Sequence, residues 1–436
     1  MKKIIFLGAI MSAMAFSAMA QSGTNSPYSQ FGIGVLSDQS QGANRGMGGV
    51  GISLRNGNRV NTLNPASYSA IDSLSMVFDA GISGQVTNFK EGGRKLNANN
   101  ADLEYAVAAF RLAPHLGASV GLLPLSNIGY NYSTSYPVND VTGSGLANTT
   151  MTEVHNGSGG LHQAYLGLGW RVFRQFSVGA NFSYLWGSYD KSVSAQSSDV
   201  YVSTVTKTYT ATVNSYKLDF GVQWEQPLKN NNFVTLGATL GLGHKLHGES
   251  LCIIANTDTQ LGTSSVDTLT INDGIEIPMT IGVGLSWRHA NQYVVAVDYT
   301  LQRWGGLGLP ASGDSNGTYN FVVQKGLLND RHKIAVGGEW TPNVYSRKYY
   351  NRMNYRVGAS FATPYYKVNG ADGPKEYSVS AGFGLPIINA HNNRSVLNIS
   401  GQWTRQSLPG LITENTFRIN IGFTFNERWF AKWKFN

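Results

Sequence analysis

The feature that most constrains this chain is a strict alternation of side chains near its C-terminus. Every second residue from Phe417 to Phe425 is Phe or Ile, and the residues between them are Arg, Asn, Gly and Thr. Successive side chains of a β-strand point to opposite faces, so one face here is wholly apolar and the other is small or polar. An apolar face opposite a polar one is typical of a strand that lines a barrel in a membrane.

The same alternation recurs along the chain and predicts fourteen strands. An even number is expected for a bacterial barrel of antiparallel strands. The segments are residues 73–88, 102–112, 117–132, 164–172, 176–186, 216–224, 234–242, 279–287, 293–301, 334–340, 355–361, 377–385, 397–403 and 417–426. We therefore predict an all-β fold, a transmembrane antiparallel β-barrel over residues 73–436.

Composition excludes the main alternatives. Charged residues make up 13% of the 436 residues, against about 25% in ordinary soluble domains. No segment after the N-terminus approaches eighteen consecutive apolar residues, which excludes a bundle of membrane helices. The single cysteine, Cys252, cannot form a disulfide within the chain. A soluble β-sandwich or propeller also alternates, but its outward face should be charged rather than Phe, Ile, Val and Trp.

The first twenty residues have the pattern of a secretory signal peptide. Lys2 and Lys3 precede an apolar run over residues 4–16, and Ala18 and Ala20 supply the small residues that precede a signal-peptidase cut. We predict cleavage after Ala20. The alternative, a short membrane anchor, would need a longer apolar run. Export of a chain whose strands have a lipid face places it as an integral protein of a Gram-negative outer membrane.

Connection lengths predict the orientation of the barrel. Short connections near residues 113–116, 172–175, 227–232, 288–291, 342–350 and 388–394 alternate with long polar ones near residues 89–101, 133–159, 190–207, 250–271 and 305–330. Short turns of such barrels face the periplasm. The aromatic tail at Trp429, Trp433 and Phe435 then lies at the periplasmic end, where we expect the outer-membrane insertion machinery to read it.

Residues 21–72 do not alternate and carry two motifs. Arg45-Gly46-Met47-Gly48-Gly49-Val50-Gly51 is followed by Asn61-Thr62-Leu63-Asn64-Pro65-Ala66. Gly-rich backbone packs closely, and Asn before Pro favours a turn. These motifs and the strand count resemble the FadL-type family of long-chain fatty-acid transporters. The resemblance implies that residues 21–72 form an N-terminal plug inside the barrel, with Gly46, Gly48, Gly49, Asn64, Pro65 and Ala66 as its motif residues.

Pro124 lies in the middle of the third predicted strand. Proline cannot donate to a β-ladder, so Pro124 predicts a bulge or gap, and we expect Ser126, Asn127 or the plug to bond the freed backbone. In the FadL-type family an inward kink of the third strand opens a lateral exit from the lumen to the bilayer. The resemblance therefore implies a lateral opening at Pro124. The alternative is a proline near the membrane interface, where water replaces the missing donor.

Several chemical motifs predict no active site. Gly117–Gly121 spells a nucleophile elbow around Ser119, but that motif needs a strand-to-helix turn. His244 and His247 are three apart, which points them to opposite faces of a strand. We predict no enzyme activity, no catalytic residue, no metal, no cofactor and no nucleic-acid binding. Predicted inward charges nearly balance and should pair with each other and with the plug: Asp79, Asp219, Asp298 and Glu339 against Arg171, Lys217, Lys333, Arg356 and Arg418.

Two functions fit these features. The first is an outer-membrane channel for passive uptake of small hydrophobic, fatty-acid-like compounds through a plugged barrel with a lateral exit. Its partners are membrane lipid and an unidentified hydrophobic small molecule. The second is a barrel that serves as a scaffold or adaptor in an outer-membrane secretion or assembly complex, as PorV-like relatives do, with surface loops as the binding face. A gap beside Pro124 that leads to an apolar pocket would favour the channel.

Overall fold

The computed structural model describes residues 23–73, 75–138, 149–199, 201–258, 260–315, 318–387 and 395–428. None of the helices in these ranges is long and apolar enough to cross a membrane. The predicted signal peptide and the aromatic tail at Trp429, Trp433 and Phe435 lie outside the described residues.

Residues 23–73, called the N-terminal segment below, contain only short elements. They are a 3₁₀-helix at Pro27–Gln30, strand β1 at Val35–Leu36, a one-turn α-helix at Gly42–Arg45 and a 3₁₀-helix at Pro65–Ala70. Such short elements leave most backbone groups without partners inside the segment, so other parts of the protein must satisfy them.

Fourteen long strands of the described chain form one closed antiparallel barrel, as predicted. They are β2 (Ser75–Glu91), β3 (Arg94–Ala113), β4 (Leu116–Val138), β5 (Thr149–Arg171), β6 (Phe176–Ser197), β7 (Thr204–Pro227), β8 (Asn232–Gly241), β13 (Thr280–His289), β14 (Tyr293–Gln302), β17 (Arg331–Trp340), β18 (Asn354–Ala362), β21 (Lys375–Ile387), β22 (Ser395–Ser407) and β23 (Thr413–Arg428). The barrel closes where β2 pairs with β23, from Ser75 opposite Arg428 to Lys90 opposite Thr413.

The remaining strands lie in the connections between wall strands, and one of them, β10, also pairs with β7. They are β9 (His244–Lys245), β10 (Gly248–Thr257), β11 (Ser264–Asn272), β12 (Glu276–Ile277), β15 (Gly308–Ser315), β16 (Thr318–Lys325), β19 (Lys367–Val368) and β20 (Ala371–Asp372). A one-turn α-helix at Tyr349–Arg352 lies in the connection between β17 and β18.

The outer face of the barrel is an apolar belt and the inner face is small and polar. On β23, Phe417, Ile419 and Ile421 are 42–51% exposed, whereas Asn420 and Thr424 are buried. In β13, Val283 and Leu285 are exposed in the same way. This arrangement reverses that of a soluble protein and is that of a barrel whose outer face contacts lipid.

The strands are taller than the sequence predicts at the end with long connections. Residues 89–101, expected to be a loop, belong to β2 and β3. The two strands stay paired as far as Glu91 opposite Arg94, at the tip of their hairpin. Residues 250–271 are mostly β10 and β11. The sequence prediction missed these extensions because it required an apolar face, which a strand needs only inside the membrane. The short connections lie together at the opposite end, called the short-turn end below.

Two long connections fold back at the end of the barrel opposite the short-turn end. Residues 303–330 contribute Trp304, Leu309 and Leu328, and residues 363–374 contribute Tyr365 and Tyr366. With side chains from the wall and the N-terminal segment they form one buried apolar group, the mouth cluster: Tyr28, Ile33, Ile128, Tyr130, Leu161, Leu185, Tyr189, Ala211, Val213, Leu246, Ile275, Ile277, Trp304, Leu309, Leu328, Tyr365, Tyr366 and Val368. The mouth cluster packs these two connections against the wall and the N-terminal segment.

Candidate functional site

The wall parts between β3 and β4 at the level of Pro124. The two strands pair from Ala113 opposite Leu116 up to Ala106 opposite Leu122, and above Leu122 the described residues of β4 have no partner on β3. On its other side β4 stays paired with β5, but the register shifts between Pro124 and Ser126. A proline that cannot donate and an extra residue at Leu125 together make a β-bulge, which bends the strand.

The N-terminal segment binds the edge of β4 that the parting leaves free. Strand β1 pairs with β4, with Val35 opposite Asn127 and Leu36 opposite Ser126. The Ser37 amide donates to the Leu125 carbonyl at 3.0 Å. The hydroxyl of Ser29 accepts from the Gly129 amide at 3.1 Å. These bonds satisfy backbone groups that would otherwise lie unpaired beside the bilayer.

Asn127 and Ser126 take different roles beside this edge. The Asn127 amide bridges the parted strands, since its Nδ2 donates to the Asp102 carboxylate of β3 at 3.2 Å and to Ser37 Oγ at 3.4 Å. Ser126 is fully buried, and its hydroxyl has no hydrogen-bond partner among the described residues. Its contribution is the backbone pairing with Leu36, and of the three expected partners of the freed backbone it is residues of the N-terminal segment that bond this edge.

A cavity of about 320 Å³ lies between the N-terminal segment and the wall. Leu123 and Leu125, which flank Pro124, border it together with Val35 and Leu36 of β1. The Pro124 carbonyl accepts a hydrogen bond from the Gln39 side chain at 2.7 Å. Much of the remaining lining is polar, as at Gln163, Lys333, Glu414 and Arg418. The cavity therefore has a mixed lining, with a group of apolar side chains beside the bulge.

The glycine motif packs against β17, β18 and β21 of the wall. Gly46 follows the Gly42–Arg45 helix, and Gly48 and Gly49 adopt φ angles of +71° and +80°. These left-handed conformations favour glycine. A Cβ on Gly48 would lie 2.8 Å from the Ala359 backbone, and its amide donates to Ser380 Oγ at 2.9 Å.

The wall carries matching glycines that the sequence analysis did not single out. A Cβ on any of them would lie 2.0–2.5 Å from an atom of the N-terminal segment. These wall glycines are Gly117, Gly169, Gly179, Gly221, Gly237, Gly337 and Gly358. The signal that could have found them is glycine at inward positions of alternating strands, where a barrel without contents would carry larger polar side chains.

Asn64, Pro65 and Ala66 form the turn that begins the second 3₁₀-helix. Asn64 is completely buried, and its Oδ1 accepts from the Ala66 amide at 3.0 Å as an N-cap. Its Nδ2 donates to the Ile52 carbonyl at 2.8 Å and to the Val222 carbonyl of β7 at 3.1 Å. Pro65 occupies the first helical position, where its missing amide costs nothing. The side chain of Asn64 thus joins two parts of the N-terminal segment to the wall.

Buried ion pairs also connect the N-terminal segment to the wall. Arg45 lies 2.9 Å from Glu104 of β3, and the Arg59 guanidinium binds Glu339 of β17 through two nitrogens at 2.8 and 3.0 Å. Arg356 of β18 contacts the same Glu339 carboxylate at 2.6 Å. The prediction that lumen charges pair with each other and with residues 21–72 is confirmed at these positions.

The electrostatics of the N-terminal segment follow from this burial. Burial alone would raise the pKa of Asp38, but the charges of Lys333 and Arg45 hold the pKa of that carboxyl well below its usual range. Burial, helped by the nearby Arg171, lowers the pKa of Arg55 to about 10. Both groups are therefore charged at neutral pH.

The motifs set aside in the sequence make structural contacts. Ser119 lies within β4, where its hydroxyl donates to the Ala108 carbonyl at 2.9 Å and lies 2.7 Å from Tyr165 Oη. His244 stacks on Tyr216, whereas His247 lies 3.5 Å from Asp273. The described ranges contain no group of three or more His, Cys, Asp or Glu side chains that could hold a metal ion.

Comparison with known proteins identifies the fold. The toluene transporter TbuX of Ralstonia pickettii superposes with a TM-score of 0.60 at 14% identity, covering 90% of this chain and 99% of that one. The toluene transporter TodX of Pseudomonas putida gives 0.60 at 14% identity, covering 91% and 100%. A FadL homologue of Pseudomonas aeruginosa gives 0.56 at 12% identity, covering 90% and 98%. These likenesses establish a FadL-type barrel fold, as the sequence motifs predicted.

Sequence comparison adds the family. No curated protein sequence matches this chain. The family model described as BamG matches residues 1–436, which is the whole chain. The protein therefore belongs to the BamG family, and it has the fold of FadL-type outer-membrane barrels.

Proposed function

We propose that this protein is an outer-membrane channel through which small hydrophobic compounds diffuse passively, with residues 21–72 of the exported chain as its plug. The observation that carries this proposal is the cavity of about 320 Å³ beside the Pro124 bulge. An apolar cavity of roughly 150 Å³ holds benzene in another protein, so a monoaromatic or short fatty-acid-like molecule fits here. The neighbours TbuX and TodX, which share the fold, are toluene transporters.

In this proposal the solute leaves sideways between β3 and β4. The free edge of β4 is bonded by β1 and its neighbours in the N-terminal segment rather than by another strand of the wall. Displacement of Val35 and Leu36 would open the cavity toward the bilayer. The solute then avoids the polar lumen below, where Arg45, Arg59 and Glu339 are paired.

The test is Pro124→Val. Valine can donate to the ladder, which removes the cause of the bulge and lets β4 run beside β3, so we expect uptake of the fluorescent hydrophobe N-phenyl-1-naphthylamine to fall severalfold. Folding is checked by heat-modifiable migration on gels. Pro386→Val is the matched control, because Pro386 lies opposite Val396 in a ladder without a register shift. Unchanged uptake by a folded Pro124→Val variant would contradict the lateral exit.

The second candidate function is a scaffold or adaptor in an outer-membrane complex. The mouth cluster favours it, because eighteen buried apolar residues pack together where an axial route from outside would begin. The polar lining of much of the cavity favours it as well. For a scaffold, probe uptake by cells would be the same with and without the protein, and a defect on deletion would be rescued by the Pro124→Val variant.

A further inference from the structure

The wall is interrupted at a second place, between β7 and β8. Strand β7 pairs with β8 from Asp219 to Pro227 and with β10 from Thr204 to Val213. Residues 214–218 therefore have no ladder partner on that side. Two hydrogen bonds frame the interruption, from the Leu242 amide to the Leu218 carbonyl at 3.0 Å and from the Asn214 amide to the His247 carbonyl at 2.9 Å.

The opposite chain leaves the wall at this level and turns into the lumen. Between β8 and β10, residues 242–247 bury Leu246 in the mouth cluster, and the returning chain buries Ile275 and Ile277 there. The two chains stay paired with each other through β9 and β12, where His244 lies opposite Ile277. The hairpin as a unit thus departs from β7 and leaves a gap in the wall.

The cavity described above reaches this gap. On other strands of the described wall it is bordered by alternate, inward residues, as at Asp298, Thr300 and Gln302 of β14. At the gap it is bordered by Lys217 of β7, which has no ladder partner on this side, and at the lower edge by Asp219 and Gly241. The cavity therefore reaches the inner side of the gap.

Side chains rather than backbone bonds close the outer side of the gap. The rings of Tyr216 and His244 stack across it with their centroids 4.4 Å apart. The Nε2 of His244 and the hydroxyl of Ser215, which lies behind the two rings, are buried and have no hydrogen-bond partner among the described residues. Buried polar atoms without partners are unfavourable, so these side chains do not seal the gap with hydrogen bonds. A stacked pair of rings can be displaced without breaking strand pairing.

The height of the gap places it near the outer surface of the membrane. Tyr216 is eleven residues from Pro227, the last residue of β7, which lies at the short-turn end. A membrane-spanning strand needs about 9–11 residues, so the gap faces the outer leaflet near its interface. Pro124 is only eight residues from Leu116 at the same end of β4 and therefore lies deeper.

We propose that this gap, called the side opening below, admits small uncharged hydrophobic molecules from the outer leaflet into the cavity, with Tyr216 and His244 as its cover. The proposal rests on the proposed channel function and gives it a way in that avoids the buried side chains of the mouth cluster. The molecule is uncharged because Lys217 and Asp219, behind the gap, pair with each other and leave no net charge for an ionic head group.

The test measures access from the bilayer to Ser215, which lies behind the cover. In a Cys252→Ser background, the Ser215→Cys variant is reconstituted in phosphatidylcholine vesicles and treated with pyrenylmaleimide, which dissolves in the bilayer. Ser286→Cys is the matched control, because Ser286 is also 5% exposed but has ladder partners on both sides. We expect labelling of Ser215→Cys to be at least tenfold faster.

Removing the cover provides the second variant. Adding Tyr216→Ala should raise the labelling rate of Ser215→Cys severalfold. Tyr299→Ala is its control, because Tyr299 is also an outward tyrosine beside a histidine, His332 at 2.8 Å, but lies in an unbroken ladder. Equal labelling of Ser215→Cys and Ser286→Cys would overturn the side opening. The side opening would also be overturned if a sulfonated, membrane-impermeant maleimide labelled Ser215→Cys as fast as pyrenylmaleimide does, since the path would then be aqueous.

The labelling result and the uptake result separate the two proposals. Fast labelling of Ser215→Cys with probe uptake that does not depend on the protein would contradict the channel and leave the side opening standing. Slow labelling together with reduced uptake by Pro124→Val would contradict the side opening alone.

Discussion

At the scale of single residues, buried charge determines how the N-terminal segment is held. Arg45 and Glu104 are 1% and 7% exposed and lie 2.9 Å apart, and Glu339 is shared by Arg59 and Arg356. A buried ion pair contributes little net stability, but removing one partner is costly because the other charge is left uncompensated. These pairs therefore fix the position of the segment more than they stabilise the barrel.

Arg45→Met tests this view of the ion pairs. The change leaves Glu104 buried with only the more distant Arg418, at 3.8 Å, so we expect docking of the N-terminal segment to weaken by about 3–5 kcal/mol. Trypsin should then cleave the segment in a barrel that still migrates as folded. Arg347→Met is the control, because Arg347 is exposed at the short-turn end. Equal protection of the two variants would mean that the pair does not hold the segment.

At the scale of elements, two strands of the wall depart from their neighbours by different means. β4 bends at the Pro124 bulge and gives its free edge to β1. The hairpin after β8 leaves β7 and buries Leu246 in the mouth cluster, and Pro278 lies where its returning chain rejoins the wall. Between these two places the N-terminal segment fits against the wall glycines, where there is no room for even one methyl group.

Gly358→Ala tests the fit between the segment and the wall. The added Cβ would lie 2.1 Å from the Met47 carbonyl carbon and 2.2 Å from the Gly48 amide nitrogen, so the chain around residues 47–48 must move. We expect about 1–3 kcal/mol of destabilisation, as for other overpacked sites. Urea unfolding monitored by tryptophan fluorescence measures it. Gly84→Ala should change nothing, since no atom lies within 4 Å of its added Cβ.

At the scale of the whole molecule, the N-terminal segment follows the inner face of the wall along much of its length. It contributes Tyr28 and Ile33 to the mouth cluster and reaches the short-turn end, where Tyr68 approaches Gly117. What remains open is the cavity between segment and wall. Any solute path through such a molecule must cross the wall or displace the segment.

The occupied lumen predicts resistance to proteolysis. Digestion of the refolded, full-length barrel should spare residues 25–60, because Asn44, Arg45, Met47 and Val50 are buried inside the wall. The exposed connection around Tyr345, which is 90% exposed, should be cut first and serves as the internal standard. Cleavage between residues 25 and 60 as fast as at Tyr345 would show that the segment leaves the lumen in solution.

Local sequence patterns were enough to predict the strands of the wall and the face of each that meets lipid. Alternation such as that of Phe417–Phe425 specifies which face meets lipid, because the two-residue period of a strand ties register to burial. The same reasoning predicted the strand number, the Pro124 irregularity and the pairing of lumen charges. These are local properties, since each depends on one strand or on one residue type at an inward position.

Only the tertiary structure shows which segments pack against the inner face of the wall and that its strand pairing is also interrupted at Tyr216. The pairing of β1 with β4 joins residues 35 and 127, and no pattern in either sequence predicts it. The mouth cluster assembles apolar side chains from connections that carry no period, such as Trp304 and Tyr365. The gap at Tyr216 lies where the chain after β8 leaves β7 and buries Leu246, so it involves packing between segments that are far apart in the sequence.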